Sequence, residues 1–122
     1  MPRDLPVGNG HMLVNFDDDH RIRDLYYPFV GKENHIGGFP FRFGVMVGKE
    51  FRWIARENGF AIHNSYEPDT LITQVTLVHE GLGASLCVRD CVDFHETVLL
   101  RQVDITNNNA AACEVRLYFH QD

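Results

Sequence analysis

Apolar and polar residues alternate with a period of two along most of this chain, and helical spacing of apolar positions is almost absent. Residues 70–79 (TLITQVTLVH) place Thr73, Val75, Leu77 and His79 on one face and Ile72, Gln74, Thr76 and Val78 on the other. The run 84–94 (ASLCVRDCVDF) keeps the same period, and Glu80-Gly81-Leu82-Gly83 between the two reads as the turn of a long hairpin. Both runs are rich in β-branched side chains, which suit a pleated, half-buried surface. Residues 11–16 and 21–27 flank Asp17, Asp18, Asp19 and His20, an acid-rich turn, since Asp bonds nearby backbone amides and tolerates unusual dihedrals. A second hairpin joins 43–47 to 51–54 through Gly48-Lys49-Glu50, a strand follows at 60–63, and 97–106 with 113–120 reads as a last hairpin across Asn107-Asn108-Asn109. Eight or nine strands with closely spaced turns predict an all-β fold, an antiparallel β-sandwich or barrel, with no convincing helix.

The chain has the length of one domain and can bury most of a single core. A hydrophobic fraction of 44% with 23% charged residues sets it apart from disordered and collagen-like chains. The formal charge of −6, with acids spread from Asp4 to Asp122, repels a phosphate backbone. Arg21, Arg23, Arg42, Arg52 and Arg56 are interleaved with acids and apolar residues instead of forming a basic groove, so no nucleic-acid partner is expected. Residues 1–6 lack the apolar core of a signal peptide, and no stretch reaches the roughly 18 apolar residues of a membrane span. The expectation is a cytoplasmic protein without a membrane partner. Cys87, Cys91 and Cys113 show no paired spacing; reduced thiols are the simplest reading, and a bridge from Cys113 to one of the other two stays open. The last strand runs almost to Asp122 with no polar closing segment, which predicts an incomplete sandwich whose exposed edge favours a homo-oligomer.

Local chemistry is sparse. Asp17, Asp18 and Asp19 lack the glycine and distant glutamate of a calcium loop, so a solvated turn is the preferred reading. No two of the seven histidines have the spacing of a helical zinc site, and neither a metal nor a cofactor is expected. Ser65 and Ser85 sit outside any nucleophile elbow, Cys87 and Cys91 have no activating neighbour in sequence, and no catalytic residue is assigned. The segment 23–43 differs. It gathers Tyr26, Tyr27, Phe29, Phe39, Phe41 and Phe43 with Lys32, Glu33, Asn34 and His35 across a glycine-rich loop. Aromatic faces stack on sugar rings while charged and amide groups take hydroxyls, so the mix suits a carbohydrate site. On composition alone the simpler reading is that the aromatics cover the core and 32–35 is a wet loop tip.

Arg3-Asp4-Leu5-Pro6-Val7-Gly8-Asn9-Gly10, Leu13-Val14-Asn15-Phe16-Asp17, Ile22-Arg23-Asp24-Leu25-Tyr26-Tyr27-Pro28 and Gly31-Lys32-Glu33-Asn34-His35 occur in that order. Together they resemble the opening of prokaryotic family 15 glycoside hydrolases, which include glucoamylases, glucodextranases and some trehalases. The resemblance is strongest over residues 3–53 and continues to Asp122 as strand pattern only. It implies that residues 1–122 are the N-terminal β-sandwich domain, or its front part, with the catalytic (α/α)6 barrel absent from this chain. In the family two glutamates of that barrel hydrolyse α-glucosidic bonds with inversion, on an α-glucan or glucosyl disaccharide. Glu33, Glu50, Glu57, Glu67, Glu80, Glu96 and Glu114 all fall in the β part, so the chain alone is expected to be inactive. The resemblance also implies that Tyr26, Tyr27, Lys32, Glu33, Asn34 and His35 face the barrel, as substrate contacts at the pocket mouth or as a domain interface. A stand-alone carbohydrate-binding module and a self-assembling β-sandwich remain the alternatives.

Overall fold

The computed structural model describes residues 5–121, so Arg3 and Asp4 of the family-like opening lie outside the described residues, as does Asp122. Among these there are ten strands: β1 (Leu5–Gly8), β2 (Leu13–Phe16), β3 (Ile22–Tyr26), β4 (Arg42–Val47), β5 (Glu50–Trp53), β6 (Ala61–Tyr66), β7 (Thr73–His79), β8 (Ala84–Val92), β9 (Leu99–Asn107) and β10 (Val115–His120). A single 3-10 turn, Arg56–Asn58, lies between β5 and β6. The strands form three sheets of order β1-β2-β3, β10-β4-β5 and β6-β7-β8-β9. Every strand pairing is antiparallel, as the alternation predicts. Ile22 and Phe41 exchange two backbone hydrogen bonds of 2.8 and 2.9 Å, which stitch the start of β3 to the residue before β4.

The apolar faces of all three sheets meet in one core. Val7, Val14, Phe16 and Ile22 come from the first sheet, Phe43, Val45 and Val47 from the second, and Val75, Leu77, Leu86 and Val88 from the third. On β7 and β8 the burial follows the period of two, with Thr73, Val75 and Leu77 inward and Gln74 and Thr76 outward. Each of these apolar side chains adds roughly 1.5–3 kcal/mol by leaving water, the force that sets which face turns inward. Among the described residues no helix is long and apolar enough to cross a membrane. Cys87, Cys91 and Cys113 are free thiols, in no disulfide.

Three features differ from the sequence expectation. Leu5–Gly8 forms a strand that pairs with β2. The two last strands are not partners: β9 runs along β8 over its whole length, and β10 pairs with β4. Their connection, residues 108–114, is longer than a tight hairpin loop, and it crosses between sheets. Asn108 N donates to Gly83 O at 2.8 Å and Gly48 N to Glu114 O at 2.9 Å, tying this crossing to the turns of two other hairpins. The third correction concerns the acid-rich turn, which is not simply solvated. Asp17 Oδ1 accepts from the amides of Asp19 and Arg21 at 3.0 and 2.9 Å, and the chain turns so that His20, at φ 60°, points into the core. His20 is 1% exposed, stacked on Phe16 at 4.5 Å, and shares the interior with Thr73 and Asp90.

Candidate functional site

The segment singled out by its aromatics begins where β3 ends. The Tyr27–Pro28 peptide bond is cis, and the chain returns so that Asn34 forms an antiparallel bridge with Tyr26. Asn34 then acts as a bracket. Its Oδ1 accepts from the amides of Leu25 and Ile36, both at 3.0 Å, and its Nδ2 donates to Asp24 Oδ1 at 2.8 Å. Asp24 is fixed in turn by Arg23 Nε at 3.0 Å and Asn15 Nδ2 at 3.3 Å. The amide of His35 donates to Leu25 O at 2.8 Å, and the buried side chain of Ile36 anchors the return arm in the core. His35 Nε2 donates to Tyr27 O at 3.3 Å, while the Lys32 ammonium lies 5.3 Å from the centre of the Phe29 ring.

All six residues picked from the sequence are thus brought into one loop, with unequal freedom. Tyr27, Lys32, Glu33 and His35 are exposed, whereas Tyr26 and Asn34 are half-buried. Phe29 and Val30 of the same loop are 52% and 61% exposed, and Phe39, further along the chain, is 77% exposed. A cation, a carboxylate, an imidazole and several ring faces are available to a ligand or to a packed neighbour. Beside the loop, Val30 and Leu71 close a largely apolar groove of about 300 Å3 over Pro6, Gly8, His11 and Met12. Gly8 is required for the hairpin beneath it, because a Cβ there would stand 2.7 Å from Met12 O.

A second aromatic surface escapes sequence reasoning. On the outward face of β10-β4-β5, Phe51 packs edge-on against Trp53 and Tyr118, with centroids 4.9 and 5.6 Å apart, and the Arg42 guanidinium lies 3.9 Å over Trp53. Gly44 sits beneath Phe51, where a Cβ would come within 2.4 Å of the ring. The cluster depends on the pairing of β10 with β4, which the sequence pattern does not specify. The alternation of Arg42, Gly44 and Met46 against Phe51 and Trp53 was the available signal.

Nothing among the described residues forms a group of three or more His, Cys, Asp or Glu side chains placed to hold a metal ion. Burial, reinforced by Asp90, pushes the Cys91 thiol above its ordinary range, the opposite of what an activated nucleophile requires. Comparison with known protein families, curated proteins and solved structures finds no match.

Proposed function

We propose that this chain is the front part of the N-terminal β-sandwich domain of an enzyme similar to family 15 glycoside hydrolases. In that role it supports a helical catalytic barrel and shapes the mouth of its pocket through loop 26–35. The parent enzyme acts on α-glucosidic bonds of an α-glucan or glucosyl disaccharide by inverting hydrolysis, with both acids on the barrel. The observation that carries the reading is the loop itself. Tyr27, Phe29 and Val30 are each exposed on a loop whose backbone Asn34 braces. A wet loop tip has no need of apolar side chains on a braced backbone, whereas a docking face or a sugar-lined rim does.

The test is made in the enzyme in which this chain continues into a barrel. Alanine at Tyr27 is expected to lower kcat/KM several-fold if the ring meets substrate, or to lower the melting temperature if it meets the barrel; a variant unchanged in both sinks the proposal. Incubated alone with maltooligosaccharides, the 122-residue chain is expected to release no glucose, and release would overturn the assignment of the acids to a barrel.

A second reading, a self-assembling sandwich, is favoured by the edge of β9. Leu99–Asn107 contains no Pro, Gly or Lys and keeps an unbroken register with β8, so only the charges of Arg101, turned inward onto Asp90, and of exposed Asp104 guard it. Leu100 and Ile105 are 48% and 40% exposed along it. Sedimentation distinguishes the two: a dimer that Ile105→Lys dissociates supports assembly through β9, and a monomer at all concentrations removes it.

A further inference from the structure

The turn between β2 and β3 is fastened to the rest of the molecule from several sides. Arg56 Nη1 donates to Asp18 O at 2.6 Å, Asn64 Nδ2 donates to the same oxygen at 3.1 Å, and the Arg56 amide donates to Asp19 Oδ1 at 3.1 Å. The innermost fastening is different in kind. His20 Nε2 lies 2.8 Å from Asp90 Oδ2 on β8, and both side chains are fully buried. The other Asp90 oxygen accepts from Arg101 Nε of β9 at 2.7 Å, and Asp90 is held from the backbone side by the Thr73 hydroxyl, which its amide reaches at 3.0 Å.

The charge balance of this chain depends on one proton. With His20 neutral, Nε2–H donates to Asp90 and the carboxylate is matched by Arg101. Nδ1 is then an unprotonated acceptor, and it has no hydrogen-bond partner among the described residues. A second proton would sit on that Nδ1 without an acceptor, and would place two cations against one carboxylate away from water. The charged groups facing the imidazole are Asp90 of β8, Arg101 of β9 and Asp17 of its own turn; β2 contributes the ring of Phe16.

We propose that the His20–Asp90–Arg101 chain is a proton-operated latch, holding turn 17–21 against β8 while His20 is neutral and releasing it in mild acid. The latch does not depend on what loop 26–35 touches, although that loop follows directly from the β3 strand the latch secures. Burial holds the imidazole below its ordinary value of 6.5; the hydrogen bond and charge of Asp90 oppose this, Arg101 adds to it, and Asp17 opposes it. Because the folded value lies below the unfolded one, the latch's contribution is complete above about pH 6.5. It is lost as the pH falls from there toward the lowered folded value.

Amide hydrogen exchange on the intact chain, corrected for intrinsic rates, tests the latch between about pH 7.5 and about pH 5. Protection of residues 17–21 is expected to fall by about tenfold while the core amides of Val75, Leu77, Leu86 and Val88 keep theirs. In His20→Gln, whose amide can donate to Asp90 at every pH, the protection of the turn is expected to stay constant. A wild-type turn equally protected throughout, or the same loss in the glutamine variant, would overturn the latch. Should that variant not fold, imidazole nitrogen spectra of the wild type serve instead: turn protection must decline between about pH 6.5 and the lower pH at which His20 itself takes up its second proton, and protection that stays constant through that protonation refutes the proposal.

Discussion

Replacing Asn34 by alanine tests whether this residue supports its loop from within. The substitution removes three hydrogen bonds, two accepted by Oδ1 from the Leu25 and Ile36 amides at 3.0 Å and one donated by Nδ2 to Asp24 at 2.8 Å. All three are part-buried, so each contributes a net of about 0.5–1.5 kcal/mol. The orphaned amides recover some of this by reaching water, which places the total near 2 kcal/mol. With a urea slope of roughly 1–3 kcal/mol/M, the unfolding midpoint should fall by about 1 M with no change in slope. Asn34→Asp is the informative companion, since it keeps both acceptor bonds, loses the donor and sets a carboxylate beside Asp24. Equilibrium urea unfolding followed by tryptophan fluorescence is the assay, Trp53 being the only reporter. A loss below about 0.5 kcal/mol in the alanine variant would show that the bracket does not hold the loop, and that Asn34 is free to contact a ligand.

Asp90→Ala should cost about 3–5 kcal/mol in the same assay, because it strands the Arg101 guanidinium and the His20 Nε2–H in the interior; replacing the pair together by Asp90→Leu and Arg101→Met should recover the guanidinium's share of that loss and leave the imidazole's. A double variant no more stable than the single one would refute the charge-stranding argument. Leu77→Ala, at a site with no exposure, should cost about 2–5 kcal/mol, and a smaller loss would mean that the three sheets collapse around the cavity. Gly44→Val drives a side chain into the space of the Phe51 ring and should cost about 1–3 kcal/mol; the double variant with Phe51→Ala should lose less than the sum of the two, and additivity would refute the proposed clash.

The strands were legible in the sequence because a period of two survives wherever one face is buried. Val75 and Leu77 opposite Leu86 and Val88 made the hairpin of β7 and β8 plain. Strand partnership was not legible where the chain crosses between sheets. Residues 97–106 and 113–120 look like hairpin arms, yet β9 folds back on β8 through the connection 93–98, where Arg101 reaches Asp90, and β10 finds its partner in the distant β4, which no local pattern shows. His20 shows the same limit. Its neighbours are three aspartates, so it reads as a wet turn residue, and only the capping of Asp19 and Arg21 by Asp17 turns its ring inward. The aromatic loop was legible as composition, while the internal role of Asn34 was not, because an amide that brackets two backbone segments looks the same in sequence as one that awaits a sugar hydroxyl.

That distinction decides how loop 26–35 can be interrogated. Asn34 spends both ends of its amide on the loop, and His35 gives its ring nitrogen to the Tyr27 carbonyl, so alanine at either position changes loop geometry before it changes any contact. Tyr27 contributes only its backbone oxygen to that bond, and its exposed ring can be removed with the bond intact. Lys32 donates its backbone amide to Phe29 O at 3.3 Å and leans its ammonium toward the same ring, so its charge can be removed without opening the turn. Glu33 is exposed as well. Of the six residues picked from the sequence, Tyr27, Lys32 and Glu33 are therefore the ones whose substitution tests a contact without disturbing the frame that Asn34, His35 and Ile36 hold in place.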